Sequence, residues 1–333
     1  MKCTNKKTYF LNRHRITACL LVGMMCITTG CGGAGYAMPY TADSDVTSFR
    51  IVNLEEERGT AQPFAADLCV ADGDVAASSV DIQASGAALF DLDNKNTLYA
   101  KNIHEKLYPA SLTKIMTALV ALKYGSVDMM LTASANVTNL ESGAAVCGIK
   151  EGDRMTLTQA LHLLLINSAN DAGVMIAEGV AGSVEAFAEL MNEEALALGA
   201  TNSHFVNPHG LSDDNHYTTV YDMYLITNEA LKYEMFSEII HMSTYTTVYN
   251  DRSGNAKEIT VDSTNYYLNG NAQAPSGITV LGGKTGTTNA AGHCLVLISR
   301  DSANKPYISI VMRAEGRDVL YTQMTDLLEK INN

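Results

Sequence analysis

Basic residues are scarce in this chain. Its 333 residues carry 23 Lys and Arg against 36 Asp and Glu, and this deficit argues against nucleic acid as a partner, because phosphate binding demands the opposite sign. Five of the 23, namely Lys2, Lys6, Lys7, Arg13 and Arg15, lie within the first 37 residues, which hold no acid. Taking those five from 23 leaves 18 basic against 36 acidic residues, a net charge of −18 for residues 38–333. No basic cluster there marks a membrane-surface binder. Paired cysteines are lacking too. Beyond residue 37 the chain keeps Cys69, Cys147 and Cys294, an odd number without paired spacing. A disulfide framework is therefore not expected, although one pair stays open. No tandem repeat or low-complexity run is evident. The apolar stretch from Ile16 to Ile27 is shorter than the roughly 20 residues needed to span a bilayer.

What is present points to an exported globular protein. The basic start, the apolar stretch and the small-residue end Gly35-Tyr36-Ala37 have the form of a secretory signal, with cleavage expected after Ala37. Thr28-Thr29-Gly30-Cys31 leaves a second option, a lipid anchor at Cys31, although Thr28 stands where such sites usually carry an aliphatic residue. The expected organisation is a signal peptide at 1–37, a flexible tether at 38–80 and one domain at 81–333. The tether is read from its mix of acids, Ala, Ser and Gly with little periodicity. With 47% hydrophobic residues, a substantial core is available.

Within 81–333, Ala87 to Leu92 and Thr97 to Ala100 flank Asp93-Asn94-Lys95-Asn96, a hairpin signal. Helical spacing runs from Thr156 to Gly199, with Thr156 or Thr158 as cap and breaks at Gly182 and Gly199. Strands are expected at 278–284, 293–299 and 307–313, followed by an amphipathic helix at 318–331. Strands at both ends around a helical middle fit a single α+β domain whose sheet is assembled from distant segments.

Three segments carry chemistry. Tyr108-Pro109-Ala110-Ser111-Leu112-Thr113-Lys114 opens an apolar run, Ile115 to Leu122, that ends at Gly125 and reads as a buried helix. Residues three apart share a helix face, so the Ser111 hydroxyl and the Lys114 amine should meet. A lysine among apolar side chains is costly to keep charged, which lowers its pKa and makes it a base for a serine nucleophile. Ser168 and Asn170 stand where two apolar stretches meet, as in a loop turned into a cleft. Gly282-Gly283-Lys284-Thr285-Gly286-Thr287-Thr288 precedes a strand and allows close backbone approach to an anionic ligand. Each segment alone is a weak signal. A chance Ser-x-x-Lys, an ordinary helix cap and a hairpin turn would look the same.

In this order, however, Ser-x-x-Lys, Ser-x-Asn and Lys-Thr-Gly are the motif set of penicillin-binding proteins and serine beta-lactamases. The wider strings Pro109 to Ala118, Phe205-Val206-Asn207-Pro208-His209-Gly210-Leu211 and His216-Tyr217-Thr218-Thr219 resemble the serine D-alanyl-D-alanine carboxypeptidases, the low-molecular-mass penicillin-binding proteins. The resemblance runs from about Ala84 to the C-terminus. It implies the beta-lactamase/transpeptidase-like α+β fold: an antiparallel sheet flanked by helices, a mainly helical subdomain and the site at their junction. It also implies Ser111 as nucleophile, Lys114 as base and Ser168 as proton relay. Asn170, Lys284, Thr285, Gly286 and Thr287 would bind substrate, and the backbone N–H groups of Ser111 and Thr287 would form the oxyanion hole. The partners implied are a peptidoglycan stem peptide ending in D-Ala-D-Ala and beta-lactam inhibitors, with no cofactor and no metal. A monomer is expected.

Other residues take ordinary readings. The spacing of His204, His209 and His216 fits no helical zinc motif, and Glu185, Glu189, Glu193 and Glu194 read as a solvated helix face. Cys294 is expected to be packed rather than reactive. Arg317 is open between a carboxylate ligand and a surface ion pair. Two competing functions remain. A serine beta-lactamase that deacylates through a glutamate is disfavoured by Ala169 in the second motif and by the absence of Glu-x-x-x-Asn between Asp171 and Lys284. A catalytically silent wall-binding or penicillin-sensing protein is disfavoured by the intact motif residues.

Overall fold

In the computed structural model the chain is described over residues 65–76 and 82–332. The expected signal peptide and lipid-anchor site lie outside the described residues. The strands are β1 (Gly86–Asp91), β2 (Asn96–Lys101), β3 (Met130–Thr132), β4 (Arg154–Thr156), β5 (Thr244–Asn250), β6 (Ala256–Asp262), β7 (Thr279–Thr288), β8 (Gly292–Arg300) and β9 (Pro306–Ala314). The helices are α1 (Thr113–Tyr124), α2 (Leu157–Ile166), α3 (Asn170–Ala181), α4 (Val184–Ala197), α5 (Val220–Ala230), α6 (Glu234–His241), the single turn α7 (Tyr266–Asn269) and α8 (Arg317–Glu329).

Five strands form an antiparallel sheet in the order β2-β1-β9-β8-β7, so the first hairpin pairs with the last strands of the chain. Alternation along each strand sends residues to opposite faces. Ala88, Phe90, Val296, Ile298, Ile308 and Ile310 join the core shared with the central helices. Ala87, Leu89, Leu295, Leu297 and Val311 meet Leu320, Met324, Leu327 and Leu328 of α8 on the other face. Because both faces are covered, β8 and β9 read in sequence as nearly continuous apolar runs.

The helical subdomain is built from α1 to α6. Helix α2 starts at a reciprocal capping box: the Thr156 hydroxyl accepts from the Gln159 N–H and the Gln159 side chain accepts from the Thr156 N–H. This satisfies two helix-end donors and fixes where the loop before it stops. Two expectations need correction, and one element went unread. Residues 65–76, placed in the tether, pack on the domain: Cys69 is fully buried, its N–H donates to the Tyr224 hydroxyl at 2.8 Å, and Val75 bridges Ala100. Glu194 is not solvated. It is buried and paired with Lys123 at 2.6 Å, while Glu185, Glu189 and Glu193 are not buried. The hairpin β5–β6, which extends a second sheet ordered β3-β4-β5-β6, was not anticipated. Its signal was legible: alternating Thr, Tyr and Val around the turn Asp251-Arg252-Ser253-Gly254-Asn255.

Candidate active site

Ser111 lies in a 3₁₀ turn, Ala110–Leu112, just ahead of α1. One turn of this geometry carries Lys114 under the serine, and Lys114 Nζ is 2.9 Å from Ser111 Oγ. The amine also donates to Asn170 Oδ1 at 2.6 Å and to the His209 carbonyl at 2.6 Å. Lys114 is fully buried. Burial, reinforced by the nearby positive Lys284 and only partly offset by Asp171, holds its pKa well below the ordinary lysine value.

The second motif occupies the connection from α2 to α3. Ser168 adopts a left-handed backbone, φ 64°, an uncommon conformation for a residue other than glycine that surrounding structure must enforce. Its hydroxyl accepts from Lys284 Nζ at 2.9 Å. Asn170 is the first residue of α3, and its N–H donates to Ala145 O at 2.7 Å. The neighbouring Asp171 carboxylate accepts from the N–H groups of Cys147, Gly148 and Ile149. The loop bearing Ala145 is thereby tied down over the cleft.

The third motif lies on β7, the outer strand of the five-stranded sheet. Lys284 is buried and donates also to the Thr285 carbonyl at 2.9 Å; burial brings its pKa down to about 7. Gly286 lies against the serine turn. A Cβ there would be 3.0 Å from Ser111 N and 3.1 Å from Leu112 N, so only glycine permits this approach without displacing backbone. Thr285 shares a 2.6 Å hydrogen bond with Thr264, and the exposed Thr287 shares one of 3.1 Å with His293 Nδ1.

The three motifs therefore gather at one cleft of about 280 Å³, bordered by Ser111, Ser168, Thr285, Gly286 and Thr287. Ser168 takes its hydrogen bond from Lys284, which joins the second motif to the third. Thr264, Tyr266, Asn269 and Tyr321 also line the cleft, and sequence reading missed them because their segments carry no motif. Arg317 lines it as well. Its guanidinium donates to the Tyr266 hydroxyl at 3.0 Å, so its contact is a phenol rather than the surface ion pair considered above. Among the described residues the cleft lining includes no acid and one arginine, Arg317. Cys69, Cys147 and Cys294 are free thiols, and burial raises the last two to about 12, which leaves them unreactive.

A serine at a helix N-terminus with a buried lysine 2.9 Å from its hydroxyl, flanked by a Ser-x-Asn loop and a Lys-Thr-Gly edge strand, has the motif arrangement of the penicillin-recognising serine enzymes. The family follows from comparison with known proteins. Residues 73–316 match the model of the D-alanyl-D-alanine carboxypeptidase family, peptidase S11, and the chain belongs to that family. It is 34% identical over 252 residues to the D-alanyl-D-alanine carboxypeptidase DacF of Bacillus subtilis, covering 74% of this chain and 61% of the relative. It is also 34% identical over 275 residues to DacC of Escherichia coli K12, covering 80% of this chain and 64% of the relative. The chain thus spans somewhat under two thirds of the length of these relatives. Among solved structures it resembles the Streptomyces K15 DD-transpeptidase, with TM-score 0.70 and 26% identity over 76% of this chain and 98% of that one.

Proposed function

We propose that this chain is a serine D-Ala-D-Ala carboxypeptidase, removing the terminal D-alanine from peptidoglycan stem peptides through an acyl-enzyme on Ser111. The observation that carries the reading is the set of partners around Lys114. Asn170 Oδ1 and the His209 carbonyl can only accept hydrogen bonds. A neutral Lys114 spends its two N–H groups on them, and its lone pair is left facing the Ser111 hydroxyl at 2.9 Å. This geometry suits a general base.

Ser111 Oγ attacks the carbonyl between the two D-alanines as Lys114 takes its proton. The negative charge on the former carbonyl oxygen is met by the N–H groups of Ser111 and Thr287, an arrangement that stabilises the tetrahedral intermediate more than the planar substrate. The proton taken by Lys114 reaches the departing amine through Ser168, whose hydroxyl gives one proton and receives one while Lys284 holds it in place. Thr285, Thr287 and Lys284 receive the terminal carboxylate by hydrogen bonding and positive potential, while Gly286 keeps β7 close enough for the substrate to reach Ser111. Asn170 holds the Lys114 amine. Water then attacks the ester: Lys114, neutral again, takes a proton from the water and delivers it to Ser111 Oγ as the acyl bond to the serine breaks.

A beta-lactam acylates Ser111 by the same route, but its amine stays tethered in the opened ring and obstructs water. The chain acts outside the cytoplasmic membrane, as a monomer, after cleavage behind Ala37. Fluorescent penicillin labelling combined with D-Ala release from a peptide ending in D-Ala-D-Ala tests the function: one D-Ala released per turnover and a long-lived penicilloyl adduct on Ser111 are expected. Rapid multiple-turnover penicillin hydrolysis without D-Ala release would overturn it in favour of a lactamase, and no labelling at all in favour of a silent binder. A mature N-terminus at Met38 tests the export route; a lipid-modified Cys31 replaces it.

A further inference from the structure

The peptide that precedes Ser111 is strained and is gripped from behind. Ala110 has φ 47°, a left-handed conformation that crowds the Cβ of an L-residue against its own carbonyl and persists only where neighbours impose it. Its carbonyl accepts twice from one residue, from the Thr113 N–H and from Thr113 Oγ1 at 2.8 Å. Gly210, at φ 87°, lies against the same carbonyl so closely that a Cβ would come within 1.8 Å of its oxygen.

Behind Thr113 stands His216, only 1% exposed, with Nε2 2.8 Å from Thr113 Oγ1. The directions of these bonds follow from counting protons. Thr113 has one hydroxyl proton and gives it to Ala110 O, so toward His216 it can only accept, and His216 Nε2 must carry the hydrogen. The other ring nitrogen accepts from the Val206 N–H at 3.1 Å, which the same neutral tautomer requires. Burial brings the imidazole pKa down to about 4, against the weaker pull of Asp213 and with His204 and Lys114 adding to the lowering. The ring is therefore neutral at physiological pH, and both nitrogens are committed.

A trans peptide is planar, with its C=O and N–H pointing in opposite directions. Fixing the Ala110 carbonyl therefore aims the N–H of Ser111, the far end of the same plane. We propose that His216 is a positioning residue for acylation: through Thr113 it locks the Ala110–Ser111 peptide so that the Ser111 N–H faces the cleft as an oxyanion donor. The hydrogen-bonded chain from imidazole to hydroxyl to carbonyl also polarises that peptide and strengthens its N–H as a donor. This inference rests on the reading of Ser111 as nucleophile. It gives His216, set aside at the sequence level as a metal ligand, a place directly behind the reaction centre.

The test separates the acylation step from the non-covalent binding that leads to it. Thr113→Val removes the hydroxyl while keeping the branched shape, and Thr113→Ser restores it. His216→Phe removes the ring donor, and His216→Gln keeps an N–H near the position of Nε2. For each full-length variant, the limiting acylation rate by fluorescent penicillin and the dissociation constant of the non-covalent complex are measured, with thermal midpoint as the check on folding. Thr113→Val and His216→Phe should slow limiting acylation about ten- to a hundredfold, the scale of a misaligned reacting group, with the dissociation constant changed less than about threefold. Thr113→Ser and His216→Gln should recover the rate. If His216→Phe does not fold, the Thr113 pair decides. A folded Thr113→Val that acylates at the unaltered rate overturns the proposal, as does a loss confined to the dissociation constant or one that Thr113→Ser fails to rescue. Failure of the unaltered chain to become labelled would instead overturn the assignment of Ser111 itself, and this inference with it.

Discussion

The two faces of the five-stranded sheet are built on opposite principles. The face covered by α8 is closed with Leu295, Leu297, Val311, Leu320, Met324, Leu327 and Leu328, without a buried lysine or histidine among the described residues. The other face meets the helical subdomain, and the wedge between them holds two buried lysines, Lys114 and Lys284, two buried histidines, His209 and His216, and the strained residues Ala110 and Ser168. Burying an amine costs free energy unless its hydrogen bonds are met, and left-handed alanine or serine adds strain. The apolar face offsets those costs without taking part in the chemistry. Stability and reactivity are thus assigned to different sides of one sheet, and substitutions should separate them.

The largest effects are expected at Ser111 and Lys114. Ser111→Ala should abolish labelling, and Lys114→Ala, which removes the proposed base without adding bulk, should slow acylation of Ser111 by about 10²–10⁴-fold, the usual contribution of a general base. In the unaltered chain, the lowered pKa of Lys114 means that the fraction of neutral amine, and with it the acylation rate, rises with pH and levels off well below the range of an ordinary lysine. Stopped-flow acylation across pH should show this rise. A folded Lys114→Ala that kept both the rate and its pH profile would remove the base from this side of the sheet.

On the other face, Leu327→Ala should lower unfolding free energy by about 2–5 kcal/mol through lost burial and a residual cavity, yet leave acylation of the folded fraction unchanged. Urea melts and labelling on the same samples read both. Loss of acylation rate in fully folded Leu327→Ala would show that the two faces are coupled rather than divided. At their meeting line, Gly286→Ala puts a methyl 3.0 Å from Ser111 N and should cost up to about a hundredfold in acylation by shifting the turn, with little loss in thermal midpoint. The opposite pattern, an intact rate and a large stability loss, would make Gly286 a packing residue only.

The cost of the reactive face can be read at Lys284. Lys284 has its pKa lowered from 10.5 to about 7 in the fold. Between those values the unfolded chain holds a proton that the folded chain has released, so this group makes folding more favourable as pH rises through that window. The difference in stability between the unaltered chain and Lys284→Met should therefore shift in favour of the unaltered chain as pH rises from the folded toward the unfolded value. A pH-independent difference would mean that Lys284 titrates normally.

Much of this was legible in the chain itself. Spacing brought Ser111 and Lys114 together because a helical turn is a local structure, and the hairpin of β1 and β2, the cap at Thr156 and the closing helix were written in turn residues and periodicity. The packing of 65–76 was not legible, since an acidic, small-residue segment looks unstructured until Cys69 finds Tyr224, 155 positions away. Glu194 looked solvated for the same reason: its partner Lys123 lies on another helix. Thr264, Tyr266 and Tyr321 entered the cleft from segments without any signature.

The sequence by itself determined the class of chemistry, because a serine, a lysine three residues on and the two later motifs name their reagents by type and order. Only the tertiary structure decided which group serves which. It set Lys284 rather than Lys114 against Ser168, gave the His209 carbonyl to Lys114, and placed His216 behind Thr113. Hydrogen bonds have a reach of about 3 Å, and no pattern along the chain reports which of many distant donors and acceptors will come within it when the two layers close.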